Sequence, residues 1–304
     1  MMATVPFYIV DVFAASRYQG NQLAVFVDLD NRVSEQQMQQ MAREINFAET
    51  TFIKANQGDG RFLVRIFTPE HEVPFAGHPS LGTSYVIAKF LLDTVPAHVV
   101  LALAHSDIVV SFDQPDQPES GLLFMQQAQP EFRELFTHQE MADELGLDQL
   151  DESWPVQEVS TGLPYIIIPL KNLAAMNRLT LGYGSFRAFL EKRQKFRANS
   201  RSGHSTSLFF FTAETIEPGS HYNTRMMLIE NDIVSEDAAT GSANGCFLAY
   251  LLKHRGGPIT ATVEQGFQMN RKSYLYLNGG LHDGHYDIRV GGHVKLVATG
   301  NWHC

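Results

Sequence analysis

The sequence predicts an α+β protein of two similar halves, and three observations carry that reading. The chain has 304 residues, room for two domains of ordinary size. Its apolar patterning is mixed and β-rich, with one prominent apolar helix in each half. A short pattern also recurs. Glu72 stands five residues before Gly77, Glu236 stands five residues before Gly241, and an apolar helix follows each glycine. Hydrophobic residues make up 44% and charged residues 18%, an ordinary globular balance.

The elements follow in order. Residues 5–13 are rich in β-branched and aromatic side chains and read as a strand. Tyr18-Gln19-Gly20-Asn21 reads as a turn and 23–27 as a second strand. Ser34 and Gln37 have the spacing of a capping box, and Met38, Met41 and Ile45 follow at helical spacing until Asn46. Strands are expected over 50–54 and 61–68, the latter ended by Pro69. The loop Pro74-Phe75-Ala76-Gly77-His78-Pro79 leads into a helix expected from Ser80 to Leu92. A hairpin is expected over 98–112, a linker over 113–120, and a strand over 121–128.

An acidic helix with a solvated face is expected over 133–150. Strands at 156–160 and 165–169, helices at 171–178 and 183–195, and strands at 207–212 and 224–230 follow. The segment Ser235–Gly241 reads as a loop leading into a helix from Ser242 to about His254. Strands are expected at 259–264, 273–277, 285–290 and 293–298.

Composition excludes several classes of function. The formal charge of −10, from 23 basic and 33 acidic residues, argues against a nucleic-acid binder. Two cysteines cannot build a disulfide framework or a four-cysteine zinc site. No basic region precedes the first apolar stretch, and the longest apolar runs, such as 85–92, fall short of the ~20 residues of a membrane span. The expectation is a soluble, reduced, cytoplasmic protein with no membrane partner.

Motif by motif, the common chemistries fail. The segment Gly77–Ser84 (GHPSLGTS) nearly spells a phosphate-binding loop, but Thr83 stands where the lysine is needed. Ser242 lacks the glycine two residues before it that a nucleophile elbow requires. His282 and His285 read as a surface turn rather than a metal site.

What remains is two helix N-termini that contain glycine. Such a terminus offers backbone N–H groups and about half a positive charge, which suit a carboxylate and the negative charge of an enediolate or dienolate. The residues alone also allow each glycine merely to permit close packing. A proton carrier is also needed. Neither Cys246 nor Cys304 lies in either loop, which argues against a two-thiol racemase. Glu49, between a helix end and a β-branched run, suits a partly desolvated acid/base, or is an ordinary surface glutamate. His78 orients a substrate or is a satisfied loop histidine. Asp237 positions a substrate or bonds its own loop. Ser242 donates to an anion or caps its helix.

At these residues the chain resembles the phenazine-biosynthesis PhzF-like isomerases, which share the diaminopimelate epimerase fold. The matching segments are 11–26 (DVFAASRYQGNQLAVF), 41–52 (MAREINFAETTF), 65–82 (RIFTPEHEVPFAGHPSLG), 160–170 (STGLPYIIIPL), 236–245 (EDAATGSANG) and 263–269 (VEQGFQM). The resemblance implies that Glu49 is the catalytic acid/base and that His78, Asp237 and Ser242 serve substrate binding and proton handling. It further implies substrate contacts from Gly77, Gly241, Asn21, Gln265 and Gly266. Diaminopimelate epimerases carry a cysteine in each glycine-rich loop, where this chain has Ala76 and Thr240. Departures occur at Ala238, at Asn270-Arg271-Lys272-Ser273 and at Arg225-Met226-Met227-Leu228-Ile229, and they bear on pocket shape.

The implied fold is two similar domains, 1–118 and 119–304, each a barrel-like, mostly antiparallel sheet around a central helix. The last ~15 residues could cross back to the first domain. The implied site lies in the interdomain cleft, a common place for small-molecule pockets. The implied activity is a cofactor-independent, metal-free isomerisation in which one glutamate moves a proton between carbons of a small carboxylated metabolite, in biosynthesis. The alternatives are a racemase or epimerase of an amino acid-like substrate, a mainly protein-binding relative, and, more remotely, a serine hydrolase. A homodimer is compatible with the resemblance.

Overall fold

The computed structural model describes residues 4–104, 106–118, 120–197, 205–230 and 232–304. His105 of the expected hairpin and Glu119 of the expected linker lie outside the described residues. The chain divides into two compact units, one of Met1–Gln126 with Gly291–Cys304, the other of Gln127–Val290.

The first unit begins with β1 (Thr4–Val12), β2 (Asn21–Val27), α1 (Glu35–Ile45), β3 (Glu49–Gly58), β4 (Arg61–Phe67) and β5 (Glu72–Val73). It continues with α2 (Gly77–Phe90), β6 (His98–Ala102), β7 (Asp107–Phe112) and β8 (Leu123–Gln126). β1 runs antiparallel to β2, β2 parallel to β3, β3 antiparallel to β4 and β4 parallel to β6; β7 and β8 then add antiparallel. α2 packs against β1, β2, β3, β6, β7 and β8. Every residue from Gly77 to Ala88 is buried. A helix that is apolar on all sides needs such enclosure. On the other face of the sheet, α1 packs Met38, Met41 and Ala42 against Phe26, Phe52 and Phe67. The expected capping box of α1 forms, with Ser34 and Gln37 serving each other's backbone, and Asn46 closes the helix in the left-handed region.

The second unit comprises β9 (Glu131–Phe136), α3 (His138–Leu145), β10 (Val156–Ser160), β11 (Pro164–Pro169), α4 (Leu173–Arg178), α5 (Tyr183–Lys192) and β12 (Ser207–Thr212). β13 (Tyr222–Glu230), β14 (Ile233–Asp237), α6 (Gly241–Arg255), β15 (Ile259–Gln265), β16 (Ser273–His282) and β17 (His285–Gly292) follow. β10 runs antiparallel to β11, β11 parallel to β12, β12 antiparallel to β13, β13 parallel to β15 and β15 antiparallel to β16. That is the order of senses found from β1 to β7. α6 packs against β10, β11, β15 and β16, and is buried from Gly241 to Leu252. α3, α4 and α5 cover the other face through Met141, Leu145, Met176, Phe186, Phe189 and Leu190. Even the outer strand is repeated: β9 adds antiparallel to β10, and the returning chain supplies β18 (Val294–His303) antiparallel to β1.

The repeat holds residue by residue. The register pairs Leu23 with Glu49, Thr51 with Ile66 and Phe67 with Glu72 in the first unit. It pairs Tyr165 with Ser207, Phe209 with Met226 and Met227 with Glu236 in the second. Glu49 therefore corresponds to Ser207, Arg65 to Arg225, Glu72 to Glu236, Val73 to Asp237, Ala76 to Thr240, Gly77 to Gly241 and His78 to Ser242.

Three expected elements need correction. The acidic helix over 133–150 is a strand, β9, followed by a short helix that ends at Gly146 in the left-handed region. Thr137 and Glu140 form a capping box that starts α3 only at His138, and the residues before it pair with β10 instead. The loop expected over 235–241 opens with the last three residues of β14, because Val234, Ser235, Glu236 and Asp237 pair with β13. The helix expected from Ser80 starts at Gly77. Pro79 does not prevent this, since a proline in the first turn removes an amide that has no partner within the helix.

Candidate functional site

Each enclosed helix begins in the same way, just after a short strand pinned by an arginine. In the first unit Arg65 holds Glu72 through two parallel hydrogen bonds, Nε to Oε1 at 2.7 Å and Nη2 to Oε2 at 2.6 Å. In the second unit Arg225 holds Glu236 likewise, at 3.0 Å and 2.6 Å. Such planar forks fix geometry as well as charge. Arg225 also donates through Nη1 to the carbonyls of Met176 and Leu179 at the end of α4, at 2.9 Å and 3.1 Å. The recurring Glu-x4-Gly spacing is thus a brace placed one short strand ahead of a helix N-terminus. No side chain caps either α2 or α6, whereas Ser34, Thr137 and Asn172 cap α1, α3 and α4.

In the first unit the structure brings Asn21, Glu49, Gly77 and His78 together. His78 is buried at the second position of α2. Its Nδ1 faces Asn21 Nδ2 at 3.3 Å and its Nε2 faces the Gln22 carbonyl at 3.2 Å. The amide nitrogen donates and the carbonyl accepts, so the proton of the neutral ring sits on Nε2. Burial pushes the imidazole down to about 3, so it stays neutral at physiological pH. The same Nε2 lies 3.5 Å from Glu49 Oε2, and the glutamate side chain is 21% exposed. Glu49 opens β3 beside Leu23 of β2. Asn21 is placed by the preceding loop, where Gly20 has φ +68° and a Cβ would stand 2.2 Å from the Val12 carbonyl oxygen. The Tyr18 amide donates to the buried Asp11 carboxylate at 2.5 Å in the same loop.

In the second unit Asp237, Gly241, Ser242, Gln265 and Gly266 gather around Thr240. The Thr240 hydroxyl donates to Asp237 Oδ2 at 2.6 Å and accepts from Gln265 Nε2 at 2.9 Å. Gln265 Oε1 accepts from the Thr240 amide at 3.2 Å and from Asn244 Nδ2 at 2.9 Å, while its Nε2 also donates to the Asp237 carbonyl at 3.0 Å. Asn244 Nδ2 donates to the Thr240 carbonyl at 3.0 Å. The fully buried Gln265 amide therefore binds the loop to itself. Gly266, at φ +73°, lies so close to the Ala238 and Arg271 carbonyls that a Cβ would sit 2.5 Å and 2.4 Å from their oxygens. Ser242, at the second position of α6, shares a 2.7 Å hydrogen bond with the Tyr165 hydroxyl.

Sequence reading did not single out Tyr165, Asn244 or the two bracing arginines. A phenol opening an otherwise aliphatic strand (Tyr165-Ile166-Ile167-Ile168) was the available signal for the first. Cys246 lies inside α6, and burial pushes its thiol up to about 11. Among the described residues no group of three His, Cys, Asp or Glu side chains could hold a metal ion. No helix among them is long and apolar enough to cross a membrane.

The chain is 32% identical over 278 residues to a trans-2,3-dihydro-3-hydroxyanthranilate isomerase of Pseudomonas aeruginosa, covering 89% of this chain and 88% of the other. Its fold matches that of a PhzF-family phenazine biosynthesis protein of Bacillus anthracis, with a TM-score of 0.85, 23% identity and all of both chains covered. It also matches a Pseudomonas aeruginosa protein described as a predicted epimerase, with a TM-score of 0.78, 27% identity, and 98% of this chain and 99% of the other covered. The expected α+β, epimerase-like fold is the fold of these structures, and the relatives place the chain among the enzymes, in the isomerase class. A sequence model of the phenazine biosynthesis-like proteins, PhzC-PhzF, matches residues 10–300, and the chain belongs to that family.

Proposed function

We propose that this isomerase moves a proton between two carbons of a small carboxylated substrate, shifting a double bond, with Glu49 as the single acid/base. The observation that carries the reading is the approach of Glu49 Oε2 to His78 Nε2, 3.5 Å apart on a histidine that burial keeps neutral. A neutral imidazole beside the carboxylate places no cation against it. Glu49 as carboxylate removes the proton, and the electron pair passes into the conjugated system as a dienolate. The glutamic acid so formed returns the proton at a second carbon, and the double bond settles in its new place. Atoms and electrons balance within the substrate, so the step needs no redox group.

In this reading the first unit offers the Gly77 amide and the Asn21 side chain, and the second offers the Gly241 amide and the Asp237 and Ser242 side chains, as oxyanion and carboxylate partners. Gln265 and Gly266 act through the loop they hold. Support for the substrate class comes from relatives named as trans-2,3-dihydro-3-hydroxyanthranilate isomerases. That both cysteines stand away from the helix starts argues against two-thiol racemisation.

The test is solvent-deuterium incorporation into trans-2,3-dihydro-3-hydroxyanthranilate and into related cyclic carboxylates, followed by NMR. The parent enzyme incorporates deuterium at a ring carbon and folded Glu49→Gln does not. Equal incorporation by the two would remove Glu49 from the mechanism.

A further inference from the structure

We infer that Tyr165 is a positioning residue for the anion grip at the start of α6, acting through Ser242; the inference rests on the reading of Ser242 as a substrate contact. Tyr165 is buried, on β11, and its hydroxyl oxygen stands 2.7 Å from Ser242 Oγ. The register equivalence gives the contact its meaning. In the first unit the second residue of the enclosed helix, His78, is met by Glu49 of β3. In the second unit the equivalent helix residue, Ser242, finds Ser207 at the equivalent strand position. The polar group that meets it comes instead from one strand over, from the residue paired with Ser207, which is Tyr165. In the first unit that neighbouring place belongs to Leu23, which has no polar group to offer.

A phenol is a better donor and a poorer acceptor than an aliphatic alcohol, so in this proposal Tyr165 donates to Ser242 Oγ and the serine proton points onward. Two consequences follow. The serine rotamer is fixed before an anion arrives, and the donated hydrogen bond polarises the serine O–H, making it a stronger donor to a carboxylate. The Thr240–Gln265–Asn244 network fixes the backbone of the same turn, so amide and hydroxyl donors are both set in advance. Such a grip holds a carboxylate alike before and during reaction, so its loss raises KM far more than it lowers kcat.

The experiment uses the full chain and anthranilate as an unreactive probe, with dissociation constants read by calorimetry, beside KM and kcat on trans-2,3-dihydro-3-hydroxyanthranilate. Tyr165→Phe keeps the ring and its packing. It is expected to weaken anthranilate binding and raise KM roughly tenfold, the scale of one hydrogen bond to a charged group. Ser242→Ala is expected to do at least as much. In the Ser242→Ala background Tyr165→Phe is expected to change nothing further, which a merely structural tyrosine would not reproduce. Tyr165→Phe binding as the parent does, while Ser242→Ala is impaired, overturns the inference and leaves the reading of the site standing. Equal effects of Tyr165→Phe in both backgrounds overturn it as well. A Ser242→Ala variant that binds like the parent, or a parent that does not bind anthranilate, overturns the reading of the site and the inference with it.

Discussion

Glu49 and Ser207 hold the same register position in two copies of one strand order, Glu49 beside Leu23 and Ser207 beside Tyr165. The backbone plan is used twice, while a carboxylate stands at this place only once. The two helix starts differ as well, with His78 in one and Ser242 in the other. In the proposed reaction, proton transfer falls to the first unit and hydroxyl donors to the second.

Loss of the Glu49 carboxylate is expected to lower kcat/KM for isomerisation by roughly 10²–10⁴-fold, the range of a general acid/base. Glu49→Gln preserves size and partial exposure, so its urea midpoint is expected to stay within experimental error of the parent. A variant that turns over within tenfold of the parent would contradict the assignment.

Acid sensitivity carries a signature of His78. Its native value, about 3, lies below the ordinary 6.5. As pH falls through 6.5 the unfolded chain takes up a proton that the native state refuses. Stability is therefore present above pH 6.5 and is lost on acidification toward pH 3, at up to about 1.4 kcal/mol per pH unit. His78→Gln is expected to lose this part of the slope. Comparison of urea midpoints at pH 7 and pH 4.5 checks it, and identical pH dependence in parent and variant would refute it.

The two arginine braces are alike in geometry but not in burial. Side-chain exposure is 10% for Arg225 and 25% for Arg65. Arg225→Ala leaves a nearly buried carboxylate and two helix-end carbonyls without their donor, at an expected cost of ~3–5 kcal/mol. Arg65→Ala removes a more accessible pair and is expected to cost about 1 kcal/mol. Chemical denaturation of both variants decides, and equal losses would show that burial is not what separates them.

Gly266→Ala is expected to destabilise by more than about 1 kcal/mol and to raise KM. A Cβ there meets the Ala238 carbonyl at 2.5 Å and adopts φ +73°. Ala238 adjoins Asp237, so the displacement reaches the Thr240–Asp237 hydrogen bond. An unchanged KM in the folded variant would separate Gly266 from the grip.

Much of this was legible in the residues. The Ser34–Gln37 cap, the two enclosed helices and the Glu72 and Glu236 spacing could be read directly, because local propensity and apolar pattern agreed there. The strand β9 could not. Its segment, Glu131-Phe132-Arg133-Glu134-Leu135-Phe136, is rich in helix-favouring residues and is overruled by pairing with β10. β14 was hidden for a related reason: its partner strand lies nearby in sequence, but polar Ser235, Glu236 and Asp237 give no strand pattern. At the candidate site, hydrogen-bond partners were not legible. The Tyr165–Ser242 bond spans 77 positions, and nothing local to either residue announces it.

The strand β18 lies along β1, Thr4 opposite His303 and Val12 opposite Val294. During synthesis the sheet around α2 thus keeps an open edge until residues 294–303 leave the ribosome, while every strand of β9 to β16 has already emerged. The half that carries Glu49 is the last to be sealed, and a chain stalled before that point is exposed to edge-to-edge association.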